Sequence, residues 1–194
     1  MTQAKPTAAI RRNRPVDEVR QGILAAAREQ FRQYGYERSS LEQIGSAVGI
    51  TRGAVLYHYR SKAELLEALL APFVEELEAA LSDFEAMQPR PKPRAVLEVL
   101  LDAMLRTRAA AELLLRDTSS RQASGLDSWV STQADRLVRL LAPGSRRDRA
   151  ARIRGLAALG ALTRPLAGLP DPISAADRRA VLTAAGNALR PPRR

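Results

Sequence analysis

The chain has 194 residues, of which 45% are hydrophobic and 27% charged, and its net charge of +10 suggests a polyanionic partner such as nucleic acid. This composition excludes wholesale disorder, and the absence of cysteine excludes disulfides, thiolate metal sites and cysteine nucleophiles. With a single histidine, His58, and no uncharged segment long enough to span a membrane, the sequence predicts a cytoplasmic binding protein rather than an enzyme, with no metal site and no cofactor.

Residues 1–15 are predicted to form a flexible basic arm. They mix proline with arginine, show no helical periodicity and lack the apolar core of a signal peptide. Helical spacing begins at Asp17, and an apolar stripe predicts a first helix that ends at Gly35, a residue that tolerates positive φ. The stripe consists of Val19, Ile23, Ala27, Phe31 and Tyr34.

Residues 39–62 have the pattern of a helix-turn-helix motif. Ser40 and Gln43 have the spacing of a capping box, in which a hydroxyl and an amide satisfy free N–H groups at the start of a helix. Gly49 is predicted to end this second helix. Thr51 is placed to cap a third helix.

The third helix, about Arg52–Tyr59, is the one that such a motif inserts into the major groove of DNA. Arg52 lies at its leading end and has the planar side chain that pairs with guanine. Gly53 and Ala54 are small enough to let the first turn approach the base edges. The pattern therefore predicts a DNA-reading helix.

The segment GITRGAVLYHYRSKAEL, residues 49–65, closely resembles the DNA-binding region of the TetR family of bacterial transcriptional regulators. The preceding residues resemble that family's first two helices in the same register, so the resemblance covers residues 16–66, about a quarter of the chain. It implies that DNA is contacted by Ser40, Thr51, Arg52, Gly53, Ala54, His58 and Lys62, with Ser40, His58 and Lys62 on the DNA backbone.

One position departs from the family, which usually has a tyrosine where this chain has Leu56. That tyrosine commonly donates a hydrogen bond to a phosphate, which leucine cannot do. Either Tyr57 makes this contact, or binding relies more on Lys62 and the arm. From the sequence, Tyr57 is equally well a phosphate contact or a wall of the three-helix bundle, whereas Tyr59 is expected to be a core residue.

After Ser61, which can cap a fourth helix, the sequence predicts only helices. The fourth runs to about Ala86 with Pro72 expected to bend it, and Gln88–Arg94 is a proline-rich break. The later helices are predicted at Ala95–Arg106, 109–116, 126–141, Asp148–Leu162 and 174–189, with a serine-rich loop over Asp117–Gly125. We therefore predict an all-α protein of about nine helices, with a helix-turn-helix domain over residues 16–62 and a C-terminal helical bundle over residues 63–194.

The resemblance implies that the C-terminal bundle binds an effector and that its last two long helices form a dimer interface. Candidate effector residues are the large or polar side chains in otherwise Leu/Ala-rich helices, although each is also an ordinary type of core residue: Phe84, Met104, Thr107, Leu113, Trp129 and Gln133. They fit a largely hydrophobic organic effector, with an arginine-bound anion as the alternative. Small residues allow close helix packing, either between subunits or within one: Ala151, Gly155, Ala158, Val181, Ala184, Ala185 and Ala188.

Together these features predict a ligand-responsive repressor that binds a palindromic DNA operator as a homodimer and is released by a small organic effector. Each subunit would place residues 51–58 in the major groove. Activation instead of repression is an open alternative, since the sequence does not say where the operator lies. A sequence-nonspecific, architectural DNA-binding protein is the second alternative, which the high net charge also fits.

Overall fold

The computed structural model describes residues 15–144, 147–166, 168–169 and 172–191. These residues form ten α-helices and no strand, which confirms the all-α prediction. The chain divides into two compact units, one up to Leu65 and one from Leu66. The basic arm predicted over residues 1–15 lies, apart from Pro15, outside the described residues. None of the described helices is both long enough and apolar enough to cross a lipid bilayer.

The N-terminal unit contains three short or medium helices and the start of a fourth: α1 (Val16–Tyr34), α2 (Leu41–Val48), α3 (Arg52–His58) and α4 (Lys62–Ala86). Its core is formed by side chains at helical spacing that are buried together: Ile23, Ala27, Phe31, Tyr36, Ile44, Val55 and Tyr59. Tyr34, predicted as part of the apolar stripe, is 43% exposed, because α1 ends at this residue and the chain turns at Gly35.

Side-chain caps and positive-φ glycines set the ends of these helices, as predicted. Ser40 Oγ accepts the N–H of Gln43 at 3.2 Å, and the Gln43 side chain accepts the N–H of Ser40 at 2.9 Å. Gly49 adopts the left-handed conformation with φ 72°, which costs glycine little. Thr51 Oγ1 accepts the N–H of Ala54 at 3.2 Å and begins α3. These local interactions determine where the two short helices start and stop.

The C-terminal unit contains the rest of α4 and six further helices: α5 (Pro93–Arg106), α6 (Arg108–Arg116), α7 (Thr118–Ala123), α8 (Asp127–Leu141), α9 (Arg149–Leu166) and α10 (Ala175–Ala188). α9 packs against both α8 and α10, and α5 packs against α8 and α10. The buried side chains are mostly aliphatic and come from every long helix of the unit, among them Leu70, Leu81, Leu97, Leu101, Met104, Val138, Leu162 and Leu182.

The loop predicted over Asp117–Gly125 contains an additional helix, α7, which is why ten helices occur in the described residues instead of about nine. The Asp117 carboxylate accepts the N–H groups of Ser119 at 3.0 Å and Ser120 at 3.3 Å, which caps a helix of only six residues. The serine-rich composition pointed to a loop, but one aspartate at the right spacing was enough to nucleate a helix.

Helix α9 also continues one turn beyond its predicted end and includes Pro165. Arg108 of α6 donates to the carbonyl of Leu166 at 2.7 Å and to the carbonyl of Leu169. Since these carbonyls at the end of α9 would otherwise lack partners, a side chain 58 residues away supports the additional turn.

Arginines of neighbouring helices neutralise the strongly acidic α4, in which seven residues are acidic. Arg136 of α8 donates to both carboxylate oxygens of Glu85, at 3.0 and 2.8 Å, and to Glu78 at 2.5 Å. Arg106 of α5 pairs with Glu76. The hydrogen bond from Arg136 holds the pKa of Glu85 below its ordinary value of 4.5. Part of the positive charge of the chain therefore stabilises this unit internally.

Candidate nucleic-acid interface

The first turn of α3 contains both solvent-exposed residues and a residue buried in the core of the N-terminal unit. Arg52 and Gly53 are exposed and Ala54 is half-buried, whereas Val55 is 0% exposed. In the described part of the chain, Arg52 makes no side-chain hydrogen bond or ion pair. A cation and two small residues at the tip of a helix are suited to the major groove, which admits one helix.

Hydroxyl groups at two helix N-termini flank this tip. Ser40 begins α2 and Thr51 begins α3, and both side chains are exposed. Each hydroxyl oxygen accepts a capping hydrogen bond, and neither O–H donates to another described residue. Both can therefore donate to a phosphate, next to backbone N–H groups and the positive ends of helix dipoles.

Tyr57 projects into solvent. Its side chain is 83% exposed, and its ring lies edge-to-face with His58 at 5.3 Å between centroids. This position excludes the alternative in which Tyr57 is a wall of the bundle and leaves its hydroxyl accessible. Tyr59 is fully buried, as expected for a core residue, with the guanidinium of Arg20 4.9 Å from its ring centroid. Leu56 is half-buried.

Lys62, predicted to contact the DNA backbone, has a different environment from the other candidates. Its ammonium donates to the carbonyls of Tyr36 at 3.0 Å, Ser39 at 3.1 Å and Glu37 at 3.4 Å. It also lies 4.2 Å from the centroid of the Tyr36 ring. Because an ammonium has three donors, this arrangement uses all of them inside the N-terminal unit. The geometry favours a role for Lys62 in bracing the turn between α1 and α2.

Gly45 contributes to this interface through backbone packing, which the sequence analysis missed. A β-carbon at Gly45 would lie 2.8 Å from the carbonyl oxygen of Ile50, 3.3 Å from that of Thr51 and 3.1 Å from a methyl of Val55. The absence of a side chain therefore allows α2 to approach the start of α3. A glycine inside a capped helix costs about 1 kcal/mol relative to alanine, and this cost is the signal in the sequence that could have indicated a packing role.

The six candidate effector residues do not form one site. Trp129 Nε1 and Gln133 Nε2 both donate to Oε1 of Glu78, at 2.7 and 2.9 Å, and so link α8 to α4. Thr107 donates to the carbonyl of Ala103 at 2.8 Å at the end of α5.

The remaining three candidates lie elsewhere in the unit. Phe84 lines a cleft of about 630 Å³, while Met104 lines a cavity of only about 10 Å³, and Leu113 is half-buried on α6. The larger cleft contains four arginines, so it is far more cationic than the largely hydrophobic site predicted. Its lining residues are Phe84, Glu85, Arg90, Arg136, Arg139, Leu140, Gly144 and Arg147.

The small face of α9 packs within its own subunit. Ala151, Gly155 and Ala158 are buried, and a β-carbon at Gly155 would lie 3.0 Å from a methyl of Val138 on α8. Of the two predicted uses of these three small residues, packing between subunits or within one subunit, the structure shows packing within one subunit. On α10, Val181 and Ala185 are buried, Ala184 is exposed and Ala188 half-buried. A different face of α9 remains exposed, with Ile153 at 57% and Leu156 at 44%.

Comparison with known proteins identifies relatives of the N-terminal region. Residues 23–69 match the family model described as bacterial regulatory proteins, tetR family. The transcriptional regulator TtgR of Pseudomonas putida is 36% identical over 105 residues, which cover 50% of this chain and 49% of TtgR. The chain thus matches about half the length of this curated relative.

Two solved structures share the fold of the whole described chain. NalD, the secondary repressor of the MexAB-OprM multidrug efflux pump in Pseudomonas aeruginosa, is 26% identical with a TM-score of 0.56, covering 89% of this chain and 96% of NalD. The complex of SmeT of Stenotrophomonas maltophilia with triclosan is 26% identical with a TM-score of 0.55, covering 88% and 91%. The all-helical arrangement, with an N-terminal helix-turn-helix, is that of these proteins.

Replacement of Gly45 by alanine is expected to lower the free energy of unfolding by about 1–3 kcal/mol, because the added methyl group would collide with the backbone of Ile50. Urea unfolding followed by circular dichroism measures the change. The control is Gly53→Ala, where the nearest atom is 3.8 Å away and stability should rise by up to about 1 kcal/mol through helix propensity. Wild-type stability in Gly45→Ala would show that this contact does not constrain the two helices.

Substitution of Lys62 by methionine is expected to lower the free energy of unfolding by about 2 kcal/mol, because three carbonyls lose a charged donor. The control Arg60→Gln removes an equal charge from an exposed side chain and should change stability by less than about 0.5 kcal/mol. The opposite result would assign Lys62 to DNA: the variant would keep wild-type stability, and the slope of log DNA affinity against log salt concentration would fall by about one per lost phosphate contact.

Proposed function

Because residues 23–69 match the family model of the TetR family of bacterial regulatory proteins and a curated regulator is 36% identical over 105 residues, we propose that the chain is a ligand-responsive transcriptional repressor of this family. In this proposal it binds a palindromic DNA operator as a dimer and releases it when a small organic molecule binds the C-terminal unit. The observation that carries the proposal is the exposed first turn of α3, with Arg52 at its tip and Val55 anchored behind it.

Each side chain of the interface has a role that follows from its exposure. Arg52 reads a base through its paired N–H groups, and Gly53 and Ala54 let the turn approach the groove floor. Ser40 and Thr51 donate to phosphates from the helix N-termini. The residues at the far end of α3 contact the DNA backbone, with the exposed Tyr57 hydroxyl replacing the donor absent at Leu56, and with His58 beside it.

The dimer is supported by the exposed apolar face of α9. Ile153 and Leu156 are three residues apart, so they lie on the same side of the helix. Helix α10, which packs against α9, also exposes small residues at a spacing of four, and we include them in the proposed interface: Ala176, Ala180 and Ala184. A symmetric pair of subunits places two α3 helices on one duplex and doubles the number of bases read.

Repression and release by an effector are supported by two proteins with the same fold, since NalD is a repressor and SmeT forms a complex with the small molecule triclosan. Binding linkage requires that the effector lower the operator affinity by the same factor by which the operator lowers the effector affinity. Equal effector affinities with and without operator would exclude this coupling.

The net charge of +10 favours a second candidate, a sequence-nonspecific architectural DNA-binding protein. The structure weakens this support, because many arginines of the C-terminal unit are engaged in ion pairs within the chain: Arg94, Arg106, Arg108, Arg121, Arg136, Arg152, Arg154 and Arg178. The exposed tip of α3 is also shaped to approach base edges and not only phosphates.

The Arg52→Ala variant is expected to lose about 1–3 kcal/mol of binding free energy at one base position and to tolerate other bases there. Operator fragments selected from random DNA, with single-base changes, are titrated by fluorescence anisotropy at one fixed salt concentration. Arg28→Ala, an exposed arginine on α1, is the control. The repressor should prefer its operator over random DNA by at least about a thousandfold. Equal affinities would establish the architectural alternative.

The Ile153→Asp variant is expected to convert the dimer to a folded monomer, because a carboxylate would be buried without a partner at the interface. Light scattering coupled to size-exclusion chromatography measures the mass. The matched control is Val99→Asp, which introduces the same charge at another exposed apolar position, on α5, and should leave the dimer intact. A dimer that survives in Ile153→Asp would place the interface on another surface.

A further inference from the structure

The cleft of about 630 Å³ in the C-terminal unit is lined by residues from the end of α4, the segment before α5 and the second half of α8, and by Gly144 and Arg147 after α8. We propose that this arginine cleft, named for Arg90, Arg136, Arg139 and Arg147, binds an organic anion that carries an apolar body. We further assign this anion as the effector, an assignment that rests on the function proposed above.

One of the four arginines, Arg136, is fully hydrogen-bonded within the protein and has a structural role. Arg136 donates to both oxygens of Glu85, to Glu78 and, at 2.8 Å, to the side-chain carbonyl of Gln133, and its side chain is only 16% exposed. Each of its three nitrogens is engaged, so Arg136 holds α8 against α4. Glu85 is the only carboxylate among the lining residues, and it is committed to this pair.

The other three arginines are available to a ligand. Among the described residues, Arg90, Arg139 and Arg147 form no ion pair and no side-chain hydrogen bond. They come from three different segments, the loop before α5, α8 and the turn after it, yet they line one cleft. The four arginines and the carboxylates of Glu78 and Glu85 leave a net charge of +2 around it. Cations that line one cleft repel one another, and a bound anion reduces that repulsion.

The rest of the lining defines the body of the ligand. Phe84 and Leu140 supply an apolar surface beside the guanidinium groups. The volume lies within the range of sites that hold small organic molecules, which is roughly 300–1,000 Å³. Guanidinium groups bind carboxylates, sulfonates and phosphates through paired hydrogen bonds. The ligand class is therefore an aromatic or aliphatic molecule with one or two negative charges.

The test uses a matched pair of fluorescent probes, the anion 8-anilinonaphthalene-1-sulfonate and the neutral N-phenyl-1-naphthylamine, which differ only in the sulfonate. The sulfonate is expected to bind the full-length protein more tightly than the neutral probe. Arg139→Gln and Arg147→Gln should each weaken the sulfonate by about tenfold, the loss of one charge-assisted hydrogen bond. The affinity for the neutral probe should change by less than about twofold. Arg28→Gln, which removes the same charge from α1, should change neither.

Circular dichroism confirms that each variant is folded, since unfolded or partly folded chains bind such dyes nonspecifically. Sulfonate binding that is unchanged in both cleft variants, or a neutral probe that binds as tightly as the sulfonate, overturns the anion site. Displacement of the sulfonate by random-sequence duplex DNA as effectively as by the operator would assign these arginines to nucleic acid and also overturn it.

A separate titration distinguishes the effector assignment from the proposed function. The sulfonate is expected to lower the operator affinity of the wild-type protein, and the operator should lower the sulfonate affinity by the same factor. Arginine-dependent sulfonate binding with an unchanged operator affinity overturns the effector assignment and leaves the repressor intact. Arginine-dependent sulfonate binding in a protein with no operator preference overturns the repressor and leaves the anion site.

Discussion

At Gly45 the backbone of α2 comes so close to the turn before α3 that a β-carbon would lie 2.8 Å from the carbonyl oxygen of Ile50. This contact constrains the position of α3, because a methyl of Val55 would lie only 3.1 Å from the same β-carbon. Val55 is buried, whereas Arg52, the first residue of the short helix, and Tyr57, near its end, are exposed to solvent. The chemistry of the interface thus depends on one missing side chain.

Lys62 and Arg52 carry the same formal charge but have different roles, which depend on the hydrogen-bond partners of each side chain. The ammonium of Lys62 is compact enough to fit among three carbonyls and serves the stability of the N-terminal unit. Arg52 lies at a helix start, where the backbone offers only N–H groups and repels it from the fold. Lys62 and Arg52 are only ten residues apart, yet one is held by carbonyls of its own unit and the other is exposed without a described side-chain partner.

The same distinction applies to the arginines of the C-terminal unit, which contribute to the net charge of +10. Arg106 and Arg136 are paired with glutamates of α4, and these ion pairs hold helices together. Arg139 and Arg147 are left facing the cleft with Arg90. Ion pairs between the acidic residues of one helix and the arginines of its neighbours stabilise the bundle, and the arginines that form no ion pair supply a binding site.

Local signals in the sequence were sufficient for most helices, because caps, helical periodicity and positive-φ glycines act within a few residues, as at Ser40, Gly49 and Thr51. They also predicted the all-α fold and the exposed tip of α3. The sequence could not reveal the carbonyl partners of Lys62, the support that Arg108 gives to α9, or the meeting of three unpaired arginines in one cleft. These features join residues that are distant along the chain, so only the packing of helices against one another decided them.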